Sequence, residues 1–227
     1  MEPESPAEQL KRSTAAVVRA VAALPDTEIV YSTENAAVSG KRVRLPLPPL
    51  ELKPKDRDLL RGASDAAALR LRHHNAKLHA KLAPPTETAR IFFDVLEQAR
   101  CEALGTRDMP GIGHNLGTVM ADRSRRLGLE QVTDKNQIPL PDALKILARA
   151  QVQGLNVPDN TKAALDLWRE SLEMPAKAEW QKLAATIDDQ KLYAKAVQDL
   201  LHKIKLDMPD RDDQPEEEGK TETIDSK

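Results

Sequence analysis

Apolar positions Leu10, Val17, Val18, Val21 and Leu24, with Thr14 in register, recur at three- and four-residue spacings over 6–24. That period predicts an amphipathic helix, and Pro25 stops it. The period then falls to two: Ile29 and Tyr31 share one face of 28–32, and Val43 and Leu45 share one face of 41–45. With 35–40 available to turn the chain, these segments predict a small β-hairpin. Two strands alone are marginal in water, so the apolar face of the hairpin must lie on helices. Pro46, Pro48, Pro49 and Pro54 follow as an extended connector.

Helical periodicity resumes over 56–82 and 86–104, on either side of Pro84-Pro85. In the second segment Phe92, Val95, Ala99 and Ala103 form the expected buried stripe, with Arg90 and Asp94 one turn apart on a wetter side. Further helices are predicted over 115–126, 140–153, 159–172 and 176–206, with joints at 154–158 and at Met174-Pro175. Trp168 and Trp180 are the expected core anchors between the last two. The fold class is therefore mainly α: a multi-helix domain over 1–206 with a small β-hairpin near the N-terminus.

Composition sharpens this picture. Hydrophobic residues make up 40% of the 227 positions but aromatics only 3%, so a core has to be built from Leu, Ala, Val and Ile, as in helix-on-helix packing. The single cysteine, Cys101, excludes an intrachain disulfide and fits a reducing cytoplasm. No apolar run reaches the roughly 18 residues of a membrane-spanning helix, and the start Met1-Glu2-Pro3-Glu4 lacks the apolar stretch of a secretion signal. Charge is unevenly placed: nine acids against three bases give 207–227 a net of −6, while the remainder carries +4. That acidic tail holds Pro209 and Pro215 and almost no large apolar residue, so it is expected to be disordered, either as a solubilising end or as a linker.

Several groups invite a chemical reading. His73, His74 and His79 cluster, but separations of five and six residues place them over about 100° apart on a straight helix. Only an end to the helix at Asn75 would bring the rings together. Gly111-Ile112-Gly113-His114-Asn115-Leu116-Gly117 has neither the spacing nor the Lys-Ser/Thr ending of a phosphate loop, and reads as a flexible connector to the next helix. No Walker A sequence is present. Cys101, inside a helix without a positioned His, reads as a small core residue. Glu97 and Arg100, three apart, read as an ion pair, with a subunit contact as the alternative. Arg61, Arg70, Arg72, Lys77 and Lys81, interrupted by Asp65 and joined by Arg123, Arg125 and Arg126, support a basic helical module for nucleic acid or another anionic partner. Few aromatics are available for stacking, and no helix-turn-helix or RNA-binding signature is legible. No residue is assigned as catalytic, cofactor-binding or metal-ligating.

The stretches Arg61-Gly62-Ala63-Ser64-Asp65 through Leu69-Arg70-Leu71-Arg72, then Ala83-Pro84-Pro85, then Phe93-Asp94-Val95-Leu96-Glu97 through Arg100-Cys101-Glu102 to Gly113, occur in an order that resembles the cobaltochelatase CobT subunit family. Trp168-Arg169 and Ile187-Asp188-Asp189-Gln190 extend the resemblance, which covers roughly 10–206. It implies a non-catalytic assembly region of an ATP-dependent cobaltochelatase, a metal–nitrogen ligase that inserts cobalt(II) into a corrin, hydrogenobyrinic acid a,c-diamide, in aerobic cobalamin biosynthesis. The implied partners are an AAA+ ATPase subunit and a large corrin-binding subunit, with no membrane and no nucleic acid. ATP and cobalt(II) would be used by the complex, and no cofactor would be bound by this chain. The resemblance also implies that 207–227 begins a linker to a von Willebrand factor A-like domain with a D-x-S-x-S adhesion motif. Only half of that motif occurs here, in Asp122-Arg123-Ser124, so the sequence is expected to be either the N-terminal part of a longer product, which the tail favours, or a stand-alone relative lacking the adhesion site.

Overall fold

In the computed structural model the described residues are 4–206, and the acidic tail expected over 207–227 lies outside them. The first helix, α1 (Pro6–Ala22), starts where the Ser5 hydroxyl accepts the Glu8 amide and Pro6 supplies a preset φ. It ends at Ala23, which takes a left-handed conformation (φ 54°). Leu10, Thr14, Val18 and Ala22 form its buried face, as the periodicity predicts.

The sheet departs from the predicted hairpin. Strand β1 (Glu28–Ser32) runs parallel to β3 (Arg42–Pro46), with Ile29 beside Val43 and Tyr31 beside Leu45. The hairpin is instead formed by β2 (Ala37–Ser39) and β3, turned at Gly40 with φ +57°. The order is β1-β3-β2. The strand with two fully buried residues, Val43 and Leu45, takes the centre, and the half-buried strands flank it. Ala37–Ser39 was hidden in the sequence because three small residues carry too little alternation to register. The Tyr31 hydroxyl donates to the Lys11 carbonyl (2.7 Å) and bonds to Thr14, fastening the sheet to α1.

Helix α2 (Pro54–His73) carries Gly62, Ala63, Ser64, Ala66, Ala67 and Ala68, whose small size lets α1, α4 (Glu87–Asp108) and α5 (Pro110–Arg126) approach it. The helix predicted over 56–82 breaks at His74, and a separate α3 (Ala76–Leu82) begins with the Asn75 side chain capping Leu78. Gln190 holds Asn75 in that cap from across the molecule, bonding both its amide and its carbonyl. The connector expected over 111–117 is also helical. Pro110 opens α5 as the residue whose missing N–H costs nothing at a helix start, and Gly113 and Gly117 serve packing, as described below.

Helix α6 (Leu140–Gln151) follows its predicted bounds closely. The segment predicted helical over 159–172 is a 3-10 turn, α7 (Lys162–Trp168) and a π-helical turn, Arg169–Glu173. The segment predicted as one helix over 176–206 is two, α8 (Lys177–Ala185) and α9 (Gln190–Lys203). Asp189 caps α9, accepting from the amides of Lys191 and Leu192. An Asp before a helical run is a start signal, and here it prevails over the continuous apolar period.

The main core lies among α4 and α6–α9, around Phe93, Leu96, Leu144, Leu147, Trp180, Tyr193 and Leu200. Trp180 is buried and donates to the Leu172 carbonyl (2.9 Å), as expected of an anchor. Trp168 is only half-buried and carries Lys135 over its ring. A second cluster joins α1, the sheet and α2, and a third, around Leu69, Cys101, Ile112 and Leu116, links the two halves. No helix of the described residues is long and apolar enough to cross a membrane.

The approach of α5 to Gly62 gives a direct check. A Cβ on Gly62 would lie 2.5 Å from the Asn115 carbonyl oxygen of α5, a backbone atom that cannot swing aside. Gly62→Ala is expected to cost about 1–3 kcal/mol by overpacking, despite the better helix propensity of alanine, as read by urea denaturation.

Candidate functional site

Helix α4 is buried on most of its circumference, and its charged residues Glu97, Arg100 and Glu102 are buried with it. Glu97 and Arg100 are each about 2% exposed. The guanidinium grips the carboxylate in a bidentate pair, Nε to Oε2 and Nη2 to Oε1, both at 2.8 Å. It also donates to two backbone carbonyls, His73 at the end of α2 (2.5 Å) and Ile187 before α9 (3.1 Å), and lies 6.0 Å from the centre of the Tyr193 ring. Burial pushes the Glu97 carboxyl up, but the hydrogen bonds from Arg100 and His74 outweigh it and hold it below the usual carboxylate range. This is a structural pair rather than a subunit contact, because both side chains are sealed inside the chain.

The three histidines separate. The break at His74 turns His74 and His79 toward each other, with ring centres 4.8 Å apart, while His73 lies beside Arg72 and Asp108. Burial, then the neighbouring Arg72 and Arg100, depress the pKa of His73. His74 Nδ1 bonds to Glu97 (2.9 Å), and His79 Nε2 bonds to Asp94 (2.7 Å) while its ring stacks on Phe93. Donor atoms of His74, His79 and Glu97 thus fall within 4.8 Å of one another. A divalent ion there would have to displace the Arg100 guanidinium from Glu97 and leave it buried without its carboxylate. The geometry suits hydrogen bonding better than ligation.

Cys101 is fully buried, and burial, reinforced by Glu97, pushes its thiol up to about 12. That is a core residue and not a nucleophile at neutral pH. The glycine-rich segment proves to be a packing surface. On α5, Gly113 accepts from Arg149 through its carbonyl (3.0 Å), and a Cβ on Gly117 would meet the same guanidinium at 3.0 Å. Asp122, first residue of the half motif, is buried and held by Lys55, Arg125 and Arg126.

Most of the basic run is engaged within the chain. Arg61 pairs with Asp58, Arg70 with Asp94 and Arg123 with Asp142, while Arg72 donates to the Val21 carbonyl. Asp65, read as an interruption in that run, is buried against Asn115 (2.7 Å), and burial raises its pKa. Arg125 and Arg126 share Asp122 with Lys55, and Lys77 and Lys81 make no hydrogen bond or ion pair among the described residues, so these contacts neutralise only part of the run. The sequence reading missed Glu102, Lys145 and Arg149, which line a cavity beside α4. The signal was there: Lys145 and Arg149 stand one turn apart among the apolar residues Ala143, Leu144, Ile146, Leu147 and Ala148.

Residues 4–227 match the family model described as Cobalamin biosynthesis protein CobT. The chain belongs to the CobT family. That places it in cobalamin biosynthesis, and no solved structure gives a significant match. The CobT-like stretches of the sequence are the ones that build the buried centre. Arg61 to Arg72 is the small-residue face of α2, Phe93 to Gly105 is the heart of α4, and Ile187 to Gln190 supplies the carbonyl to Arg100 and the clamp on Asn75.

Two outcomes are expected of this centre. Arg100→Met strands a buried carboxylate and should cost about 3–5 kcal/mol in urea denaturation, whereas adding Glu97→Leu should recover much of that loss. Because the folded pKa of Glu97 lies below its unfolded value, its contribution is complete above the unfolded value, near pH 4.5, and is lost as pH falls through the folded one. Thermal unfolding followed from pH 7 to pH 3 should therefore show a steep acid limb that is shallower in the double variant.

Proposed function

We propose that this CobT chain is the assembly region of the T subunit of an ATP-dependent cobaltochelatase, docking to an AAA+ ATPase subunit and to a large subunit that holds the corrin and cobalt(II). On this reading the chain performs no chemical step. The supporting observation, beside the family match, is what the fold does with its reactive groups. Glu97 and Arg100 neutralise each other, His79 is tied to Asp94, Asp122 is covered by three cations and Cys101 is held as the thiol. Groups consumed in this way stabilise a scaffold and are poorly placed to meet a substrate.

A scaffold acts by presenting surfaces, so its function should be read as binding and as rescue of the complex. The test is gel filtration of the purified chain with the ATPase and large subunits, with and without ATP, followed by cobalt insertion with all three present. Co-elution with one or both subunits, together with chelation that depends on this chain, is the expected result. Failure to co-elute under every nucleotide condition overturns the reading. Cys101→Ser should leave chelation within about twofold, since a buried neutral thiol takes no part in the reaction.

A further inference from the structure

A cavity of about 330 Å³ opens between β2, α2, α4, α5 and α6, a volume within the range of small-molecule sites. Part of its wall is apolar, with Ala63 and Ala66 of α2 and Leu116 and Met120 of α5 among the lining residues. Four charged side chains line it: Arg70, Glu102, Lys145 and Arg149. A second cavity of about 320 Å³ adjoins it and shares Arg70, Glu102 and Lys145, and Lys145 also lines a third, smaller space between α5 and α6.

The charges in this cavity do not balance. Arg70 is held by Asp94 (3.4 Å), and Glu102 accepts from Gln98 and Gln153, both at 3.1 Å. Arg149 is only 6% exposed, yet its partners are two neutral carbonyls, Asn156 and Gly113, and its Nη1 has no acceptor among the described residues. Lys145 is half-buried and forms no hydrogen bond or ion pair among the described residues. A buried guanidinium that no carboxylate hydrogen-bonds is costly: burial lowers the pKa of Arg149, and the charge of nearby Glu102 offsets this only in part. Two cations one helical turn apart, neither hydrogen-bonded to a carboxylate, therefore border one cavity in which Glu102 is the sole lining acid.

We infer that this cavity is a binding site for a small organic anion, its oxyanion group held by Lys145 and Arg149 and its apolar body lying along the alanine face of α2. Lys145 and Arg149 supply charge-assisted hydrogen bonds, which a low-dielectric wall strengthens. The apolar walls add affinity in proportion to the surface they cover, so a bare inorganic ion is the weaker ligand. The inference is independent of the assembly role, because it concerns only residues of this chain.

The probe is 8-anilinonaphthalene-1-sulfonate, an anion with an aromatic body, titrated into the full chain and followed by fluorescence. Saturable one-site binding is expected, weakened at least about tenfold by Lys145→Glu, since one charge-assisted bond is lost and a repulsion added. Lys145→Gln should lie between the two. Ala66→Leu, which fills the cavity, should weaken binding without altering charge, whereas Lys77→Glu on exposed α3 should leave it unchanged. Circular dichroism and thermal unfolding establish that each variant is folded. The inference is overturned if the probe shows no saturable binding, if Lys145→Gln and Lys145→Glu bind as tightly as the parent, or if Lys77→Glu weakens binding as much as Lys145→Glu.

Discussion

Arg100 carries a full charge at a point that water does not reach, and the arrangement of the surrounding helices follows from satisfying it. A guanidinium has five N–H donors and cannot shed its proton, so burial of this residue demands acceptors on several sides. They come from Glu97 on its own helix, from the carbonyl that α2 exposes at its end, and from the carbonyl at 187 between α8 and α9. One side chain thereby ties together four helices that are far apart in sequence. Such a pair contributes little net stability compared with a well-packed apolar substitute. What it confers is a single allowed arrangement, because slippage of α2 or α9 along α4 would leave a charge or a carbonyl unmatched.

The histidine pair and the broken helix belong to the same constraint. His73 can give its carbonyl to Arg100 only if α2 stops there, and the chain then restarts as α3 after the Asn75 cap that Gln190 supports. The turn sets His74 on Glu97 and His79 on Asp94. What looks in isolation like a constellation of metal-ligand residues is the outer layer of a buried ionic network. The same logic covers Gly117 of α5, which lets Arg149 lie against the helix where a side chain would stand. In that place, unlike at Arg100, no carboxylate grips the guanidinium, since Glu102 is bonded to Gln98 and Gln153 instead, and this difference separates a structural cation from one available to a ligand.

Local physics was enough to specify much of this from sequence. Three- and four-residue spacing with a proline stop marked α1, the low aromatic content called for a Leu and Ala core, and Glu97 with Arg100 at three-residue separation read as a pair. The quoted stretches from Arg61 to Gly113 carried the family. These features depend on neighbours within a turn or two, or on the chemistry of a residue type. The tertiary structure alone decided that β1 would run parallel to β3, because the centre goes to the strand whose apolar face is most fully covered by helices, and that choice is made among distant segments. It also decided the helix break at His74, which an acceptor requirement 26 residues downstream imposes, and the burial of Arg149 beside an unpaired Lys145. A sequence lists charges in order along the chain, but whether each finds a partner depends on what the fold brings to face it.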